Sequence, residues 1–467
     1  MNDAMTRRST LFVLGIFFIS GLAFRLYQIA TPSYWLDEMF SLYIAKQNTW
    51  SSLLWDSNPF LYHLLLRIWI NWSGENELFV RLLSTLFSCG SVILIYFLGK
   101  RIAGPAVGLI ASFLMVVSPL GIQYSQEARM YSLFEFLTVV HLIFFFNRDQ
   151  DRKSRIGWII SLALLLMTHL FSFLLLWIEL IWIFFHKQEE NLWKRIGLSL
   201  LVFGTLPPVL VKLTGFQLPF LDWQKLRYGL VGFSSDLESF LSLLFSGSIA
   251  NLVALLLGTV LLLIGNRRDF LQRVEFRFVC LLLIVPILLC SIFSLSLERI
   301  FLVPRYFIFL NPVAIILTSL LISNLFSNGC MQRLGSILLL ISCLLSSLLF
   351  LPEVYKNKKA PWRSVAQYIS NIPRSVVLTT RSQSIQSPYF ERFSIPVRKW
   401  IPNENGLQFI EQLLSENKNV FIVDNFWGGL TYWNENKSRL SKLGYKLNEQ
   451  IFKLDDSEPI YAMQIRK

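Results

Sequence analysis

Apolar runs of roughly 18 or more residues recur along the first three quarters of this chain, and each is long enough to cross a bilayer core of about 30 Å. Length alone would allow about three soluble domains in 467 residues. Composition overrules that: 54% of residues are hydrophobic, 16% are charged, and mean hydropathy is +0.51. The sequence is that of an integral membrane protein. Its net charge of +13 does not point to nucleic acid, because most Lys and Arg stand in short loops beside apolar runs. The positive-inside rule and anionic headgroups account for that placement. The five cysteines (Cys89, Cys280, Cys290, Cys330, Cys343) lie in or at the ends of apolar runs without metal spacing, so they read as apolar filler.

Arg7 and Arg8 put the N-terminus in the cytoplasm, followed by a first span over about 11–30. That run is too long for a signal peptide and lacks a small-residue cleavage site, so it is expected to be retained. Residues 31–77 are too polar to cross and hold two amphipathic pieces, 36–47 and the Trp-rich stretch from Asn58 to Trp72, which suit the headgroup layer. Further spans are expected at about 78–98, 105–122, 131–146, two within 156–185, then 196–214, 237–264, 278–297, one from Pro304 and one at 335–351. The pair within 156–185 is short for two crossings, with Thr168-His169 at its outer turn. About eleven spans leave the C-terminus outside, with roughly twice as many Lys and Arg in inner loops as in short outer ones.

From Glu353 the composition becomes that of a soluble domain. Ser375–Thr379 and Asn419–Asp424 read as buried strands, 362–371 and 405–416 as helices, and 450–465 as a final strand or hairpin. The expected division is a transmembrane domain at 1–352, including the loop 31–77, and a small α/β extracytoplasmic domain at 353–467.

On this topology Asp37, Glu38, Glu127, Arg129, Glu298, Arg299 and Arg305 gather at the outer ends of spans. Ionisable groups at membrane depth are costly and face interior cavities. A carboxylate there can take a proton from an acceptor hydroxyl, and guanidinium groups can hold a phosphate as its charge develops. The competing explanations are bland. Asp37 and Glu38 suit the first turn of any helix, and Glu127–Arg129 and Glu298–Arg299 can pair at the headgroups. His63 and His169 are lone histidines and read as packing or interface residues. No Gly-rich nucleotide loop is present, so a nucleotide cofactor is not expected.

Several motifs, taken in order, resemble the bacterial GT-C glycosyltransferases. They are Trp35-Leu36-Asp37-Glu38, Asn58-Pro59-x-Leu61-Tyr62, Tyr124-Ser125-Gln126-Glu127-Ala128-Arg129-Met130-Tyr131, Arg305-Tyr306 before Pro312, and Pro361-Trp362-Arg363. The nearest branch is the family 39, protein-mannosyltransferase-like enzymes, related to the aminoarabinose transferase that modifies lipid A. The resemblance implies an all-α polytopic membrane protein of GT-C type carrying the small α/β domain. It also implies inverting sugar transfer from a polyprenyl-phosphate donor on the extracytoplasmic side of the plasma (inner) membrane. Asp37 matches the general base. Glu38 completes the motif and organises the loop, since neighbours on a helix point about 100° apart. Glu127 matches the second-loop acid, and Arg305, Arg129 and Arg299 are the phosphate candidates. Asn58, Tyr62 and Tyr131 are assigned to the acceptor or its loop. The sequence departs from the family where a His-Pro-Pro usually opens the second amphipathic helix and Asn58-Pro59-Phe60 stands instead.

The acceptor stays open between lipid, protein and glycan, and a divalent metal stays open too. A transporter or flippase of lipid-linked sugars is the rival class, with a polymerase of lipid-linked sugars the nearest enzymatic alternative. Transporters tend to show repeated halves with charges near the midplane. Here no repeat is visible and the charges cluster at one face.

Overall fold

The computed structural model describes residues 2–56, 58–185, 230–264, 273–297, 303–327, 330–356, 359–379, 383–401, 403–425, 429–453 and 459–466. The expected span at 196–214 and the motif Glu298-Arg299 lie outside the described residues. The chain divides into two compact units, one of residues 1–27, 54–64 and 81–354, the other of residues 28–53, 65–80 and 355–467.

Helices build the first unit: α1 (Asn2–Leu26), α4 (Glu77–Ala103), α5 (Pro105–Val116), α6 (Pro119–Ser125), α7 (Tyr131–Asn147), α8 (Arg152–Leu166) and α9 (Ser172–Phe185). They are followed by α10 (Leu230–Leu244), α11 (Ile249–Ile264), α12 (Val274–Leu297), α13 (Leu310–Phe326) and α14 (Cys330–Tyr355). Two amphipathic helices, α2 (Leu36–Lys46) and α3 (Leu61–Ser73), precede α4. Among the described residues four helices are long and apolar enough to cross a membrane, or six if each of two bent pairs is one span. Three further apolar helices among the described residues, Tyr131–Asn147, Ser172–Ile183 and Leu310–Phe326, are 17 residues or shorter. The chain is a multi-pass membrane protein.

The bend between α5 and α6 follows from Ser118-Pro119. A residue before proline avoids the helical region, and proline suits the first helical position. Ser118 caps α6 by accepting the Gly121 N–H at 3.3 Å, and the two helices meet at 53°. The break frees carbonyls at the end of α5, and fully buried Arg25 meets them. Its Nη2 donates to Met115 O at 3.0 Å, Nη1 to Val116 O at 3.2 Å, and Nε to Ser88 Oγ at 2.8 Å. Helices α4 and α5 approach closely through glycine: a Cβ on Gly99 would stand 2.8 Å from Gly108 Cα, and one on Gly108 would meet Tyr96 O. Small residues allow this backbone contact inside lipid.

Helices α7, α8 and α9 share a buried polar network. His141 Nε2 lies 2.8 Å from Glu179 Oε1, Trp158 Nε1–H donates to Glu179 Oε2 at 3.1 Å, and His141 Nδ1 lies 2.9 Å from Ser161 Oγ. Replacing Glu179 by Leu would leave two ring nitrogens buried without this partner, at about 1–3 kcal/mol each. Thermal unfolding in detergent is expected to drop for Glu179→Leu and to be largely preserved in Glu179→Gln.

The second unit centres on a five-stranded sheet of β1 (Ser375–Thr379), β2 (Val397–Lys399), β3 (Asn419–Asn425), β4 (Lys446–Phe452) and β5 (Ile460–Arg466) in the order β2-β1-β3-β5-β4. Strand β1 runs parallel to β2 and β3, with Val377 opposite Val397 and Phe421, while β5 runs antiparallel to β3 and β4. Its core holds Val376, Leu378, Trp400, Ile410, Val420 and Ile465. Helices α15 (Trp362–Ser370), α16 (Gln383–Arg392), α17 (Glu404–Ser415) and α18 (Gly429–Lys442) complete it.

Residues 28–53 and 65–80, which take in most of the loop expected at 31–77 in the transmembrane domain, fold with this sheet unit. Charge and hydrogen bonding join them. Glu77, 5% exposed, accepts from Arg363 Nη2 at 2.8 Å, Tyr389 OH at 2.9 Å and Arg392 Nη1 at 3.4 Å. Tyr389 OH also receives the Tyr34 N–H at 2.6 Å. Lys46 bridges Glu75 at 3.1 Å and Glu391 at 2.9 Å.

Candidate active site

In the first unit, four chain segments converge on one polar cluster. The first is the turn before α3. Asp56 is almost fully buried and its Oδ1 accepts the Asn58 backbone N–H at 2.8 Å, closing a tight local turn. Its Oδ2 receives Arg129 Nη1 at 2.8 Å and lies 3.2 Å from His63 Nε2. Burial alone would raise the Asp56 pKa. The Arg129 guanidinium, with His63 and the Asn58 N–H, outweighs it and holds the carboxyl well below the usual carboxylate range.

The second segment, Gln126–Met130, leaves α6 and is pinned from α4. Tyr62 OH lies 2.9 Å from Ser84 Oγ, Ser84 Oγ donates to Arg129 O at 3.3 Å, and Thr85 Oγ1 donates to Ser125 O at 3.0 Å. This carries buried Arg129 to Asp56, with Glu127 half-buried two residues before it. The third segment is the turn between α8 and α9. His169 is 1% exposed, stacks on Phe134 at 4.8 Å and 10°, and lies within 6.1 Å of the Tyr131 ring. Met167 O in the same turn receives the Leu61 N–H at 3.0 Å, joining it to the start of α3. The fourth is the 3-10 turn Pro304–Phe307. There the Arg305 guanidinium stands 5.4 Å from the Tyr306 ring, and Tyr306 lies 5.9 Å from His169.

The cluster thus joins cations, a paired acid and aromatic walls. Burial first, then Arg129, with Arg305 adding and Asp56 opposing, pushes the His169 pKa down to about 3, so its ring is neutral near pH 7.

Sequence reading named Asn58, Tyr62, Glu127, Arg129, Tyr131 and Arg305, and all six stand in this unit. Tyr62 touches the scaffold serine of α4 rather than an open space. Asp37 and Glu38 stand in the other unit, on the first turn of α2. Glu38 is fully buried: its Oε2 accepts the Trp35 N–H at 3.2 Å and pairs with Lys359 Nζ at 3.1 Å. Asp37 is half-buried, and its carbonyl accepts Ser41 Oγ–H at 3.0 Å. Arg299 lies outside the described residues. Asp56 and His169 were missed as site residues. Asp56 stands two residues before Asn58-Pro59, a turn signal, but its partner Arg129 is 73 residues away and no local pattern links them. Among the described residues no group of three or more His, Cys, Asp or Glu stands together as a metal site.

A family profile for dolichyl-phosphate-mannose-protein mannosyltransferases matches residues 57–214, about a third of the chain. No curated protein matches it. Among solved structures, apo ArnT from Cupriavidus metallidurans aligns with a TM-score of 0.60 at 13% identity, covering 96% of this chain and 97% of ArnT. The same protein bound to undecaprenyl phosphate aligns at 0.59 and 12% identity, with coverage of 96% and 97%. The oligosaccharyltransferase AglB from Archaeoglobus fulgidus, in complex with an inhibitory peptide and a dolichol-phosphate, aligns at 0.56 and 11% identity. That alignment covers 95% of this chain and 73% of AglB. The fold of this chain is therefore the GT-C fold of membrane glycosyltransferases. ArnT, matched over nearly its whole length, is a solved protein that shares it.

Proposed function

We propose that this protein is a membrane glycosyltransferase that moves a sugar from a polyprenyl-phosphate donor to an acceptor hydroxyl. The transfer takes place with inversion on the extracytoplasmic face of the plasma (inner) membrane. The observation that carries this reading is the cluster of Arg129, Arg305, Tyr131 and His169 within a GT-C fold. It supplies cationic hydrogen-bond donors and aromatic surface for a lipid-borne phosphate sugar. ArnT has been captured with undecaprenyl phosphate and AglB with a dolichol-phosphate, which supports the same donor class here.

In the proposed reaction Asp37 takes the proton from the acceptor hydroxyl. The oxygen attacks the anomeric carbon from the face opposite the phosphate, and the sugar–phosphate bond breaks. Negative charge grows on the leaving phosphate, where fixed cations lower the barrier most. Arg305 is assigned to that phosphate. Arg129, already committed to Asp56, fixes the wall beside it, and Arg299 is a further candidate. Glu127 is assigned to the acceptor side with Asn58, Tyr62 and Tyr131, and Glu38 holds the α2 turn that carries Asp37. The acceptor is a lipid, protein or glycan.

The test uses purified protein in nanodiscs, a panel of polyprenyl-phosphate sugars and a crude membrane-lipid acceptor extract, following release of polyprenyl phosphate. Turnover with one donor is expected. Arg305→Ala should then raise the donor KM by about 10- to 100-fold, the span of a hydrogen bond to a charged group. Lipid-linked sugar crossing liposome membranes without any turnover would instead identify a transporter.

A further inference from the structure

We propose that His169 is a donor-binding residue whose Nε2–H gives a hydrogen bond to a phosphate oxygen of the lipid-linked substrate. The inference rests on the glycosyltransferase reading above and adds a residue to its phosphate site.

The tautomer follows from the backbone. Phe171 N–H donates to His169 Nδ1 at 3.1 Å, so Nδ1 is an acceptor and the proton of the neutral ring sits on Nε2. That Nε2 is buried and has no hydrogen-bond partner among the described residues. Buried donors are satisfied in the great majority of cases, and leaving one unmet is costly. The ring cannot turn cheaply to find another partner. Phe134 stacks on it, and Phe171 and Tyr306 stand 5.7 Å and 5.9 Å away. Its backbone is equally held, with Ser172 Oγ donating to His169 O at 2.6 Å. A donor so fixed is arranged for an acceptor that arrives from outside the protein.

The surroundings specify the acceptor's charge. Arg129 and Arg305 both act on this ring, and the nearby negative charge of Asp56 is already engaged by Arg129 and His63. Guanidinium groups near the ring can add charge-assisted hydrogen bonds to an arriving anion. A neutral N–H suits that position better than a third cation, because it adds a hydrogen bond without repelling the two guanidinium groups. A phosphate monoester or diester, with oxygens to spare for several donors, fits both requirements.

The experiment measures binding of undecaprenyl phosphate to the full chain in nanodiscs, with inorganic phosphate as competitor, for wild type, His169→Phe, His169→Gln and His169→Asn. Phe keeps the stacking and deletes the donor. Gln places an amide N–H near the Nε2 position, whereas Asn reaches only the Nδ1 position. Wild type should bind the lipid, His169→Phe about 10- to 100-fold more weakly, and His169→Gln should recover more than His169→Asn. The unfolding temperature of His169→Phe should not fall. Inorganic phosphate should compete in wild type and lose potency in His169→Phe, placing the contact on the phosphate itself. Equal affinity and equal turnover in wild type and His169→Phe would overturn the assignment and leave the glycosyltransferase reading standing. If Gln and Asn behaved alike, the role would be packing, and the proposal would fail. Potency of inorganic phosphate unchanged by His169→Phe would overturn the phosphate contact. Wild type that binds no polyprenyl phosphate and turns over no donor would remove the glycosyltransferase reading itself.

Discussion

Asp37→Asn is expected to lower turnover by about 10²- to 10⁴-fold, the usual contribution of a positioned general base. Asn matches Asp in shape, so the half-buried side chain still fits the first turn of α2. It cannot accept a proton at neutral pH, so the acceptor hydroxyl would have to attack without its base. The frame around it rests on other groups. Glu38 holds the Trp35 N–H and Lys359, and Tyr389 holds the Tyr34 N–H. Unfolding temperature and donor affinity should therefore change little while kcat collapses. Measuring all three separates base loss from misfolding. Turnover matching wild type would remove Asp37 as the base and would leave the phosphate site untouched. Glu38→Gln provides the contrast, since it weakens the ion pair to Lys359 and should act on stability before rate.

The second large effect belongs to Asp56. Breaking a buried ion pair by neutralising one partner costs roughly 3–5 kcal/mol, because the other charge is stranded in a poor solvent. Asp56→Asn would remove the carboxylate that Arg129, itself 5% exposed, meets at 2.8 Å. It should lower the unfolding temperature and also loosen the wall of the proposed phosphate site. The double variant Asp56→Asn with Arg129→Met should be more stable than the single, since it removes the cation along with its carboxylate. A single variant as stable as wild type would show that the pair does not hold this wall. The pH dependence has a definite sign. The folded carboxyl titrates below the value of about 3.9 for a free Asp. Its contribution to stability is therefore complete above about pH 4 and is lost as pH falls from there toward the folded value. Acid unfolding of the wild type should show this loss, and the double variant should not.

Much of the fold was legible because its signals are local. The start of α5 at Pro105 matches the expected start of the span at 105–122, whereas the break at Ser118-Pro119 that begins α6 was not read. Alternation and buried β-branched runs marked β1 and β3, and the hairpin of β4 and β5 fell in the last apolar stretch. Helix α16 and strand β2 were not read from the sequence. Pro388 inside α16 and the three-residue length of β2 hide both from pattern reading. Site residues followed the same division. Arg129, Tyr131 and Arg305 stand in recognisable motifs. Asp56 and His169 matter through partners distant in sequence and through burial, and neither property is written locally. The grouping of residues 28–53 and 65–80 with the C-terminal sheet was equally invisible, because it depends on Glu77 and Tyr34 meeting Arg363 and Tyr389 some three hundred residues later.

That long-range pairing has a consequence for the order in which the protein is made. At about 5–20 residues per second, the segment carrying Lys359, Arg363, Tyr389 and Arg392 leaves the ribosome some tens of seconds after α2. Throughout that interval Glu38, Glu77 and the Tyr34 backbone lack the partners they have in the finished unit. The turn that carries Asp37 therefore gains these partners only after residues 359–392 have been made. A nascent or C-terminally clipped chain would therefore lack the ion pairs and hydrogen bonds that hold the α2 turn and Glu77 in the finished unit.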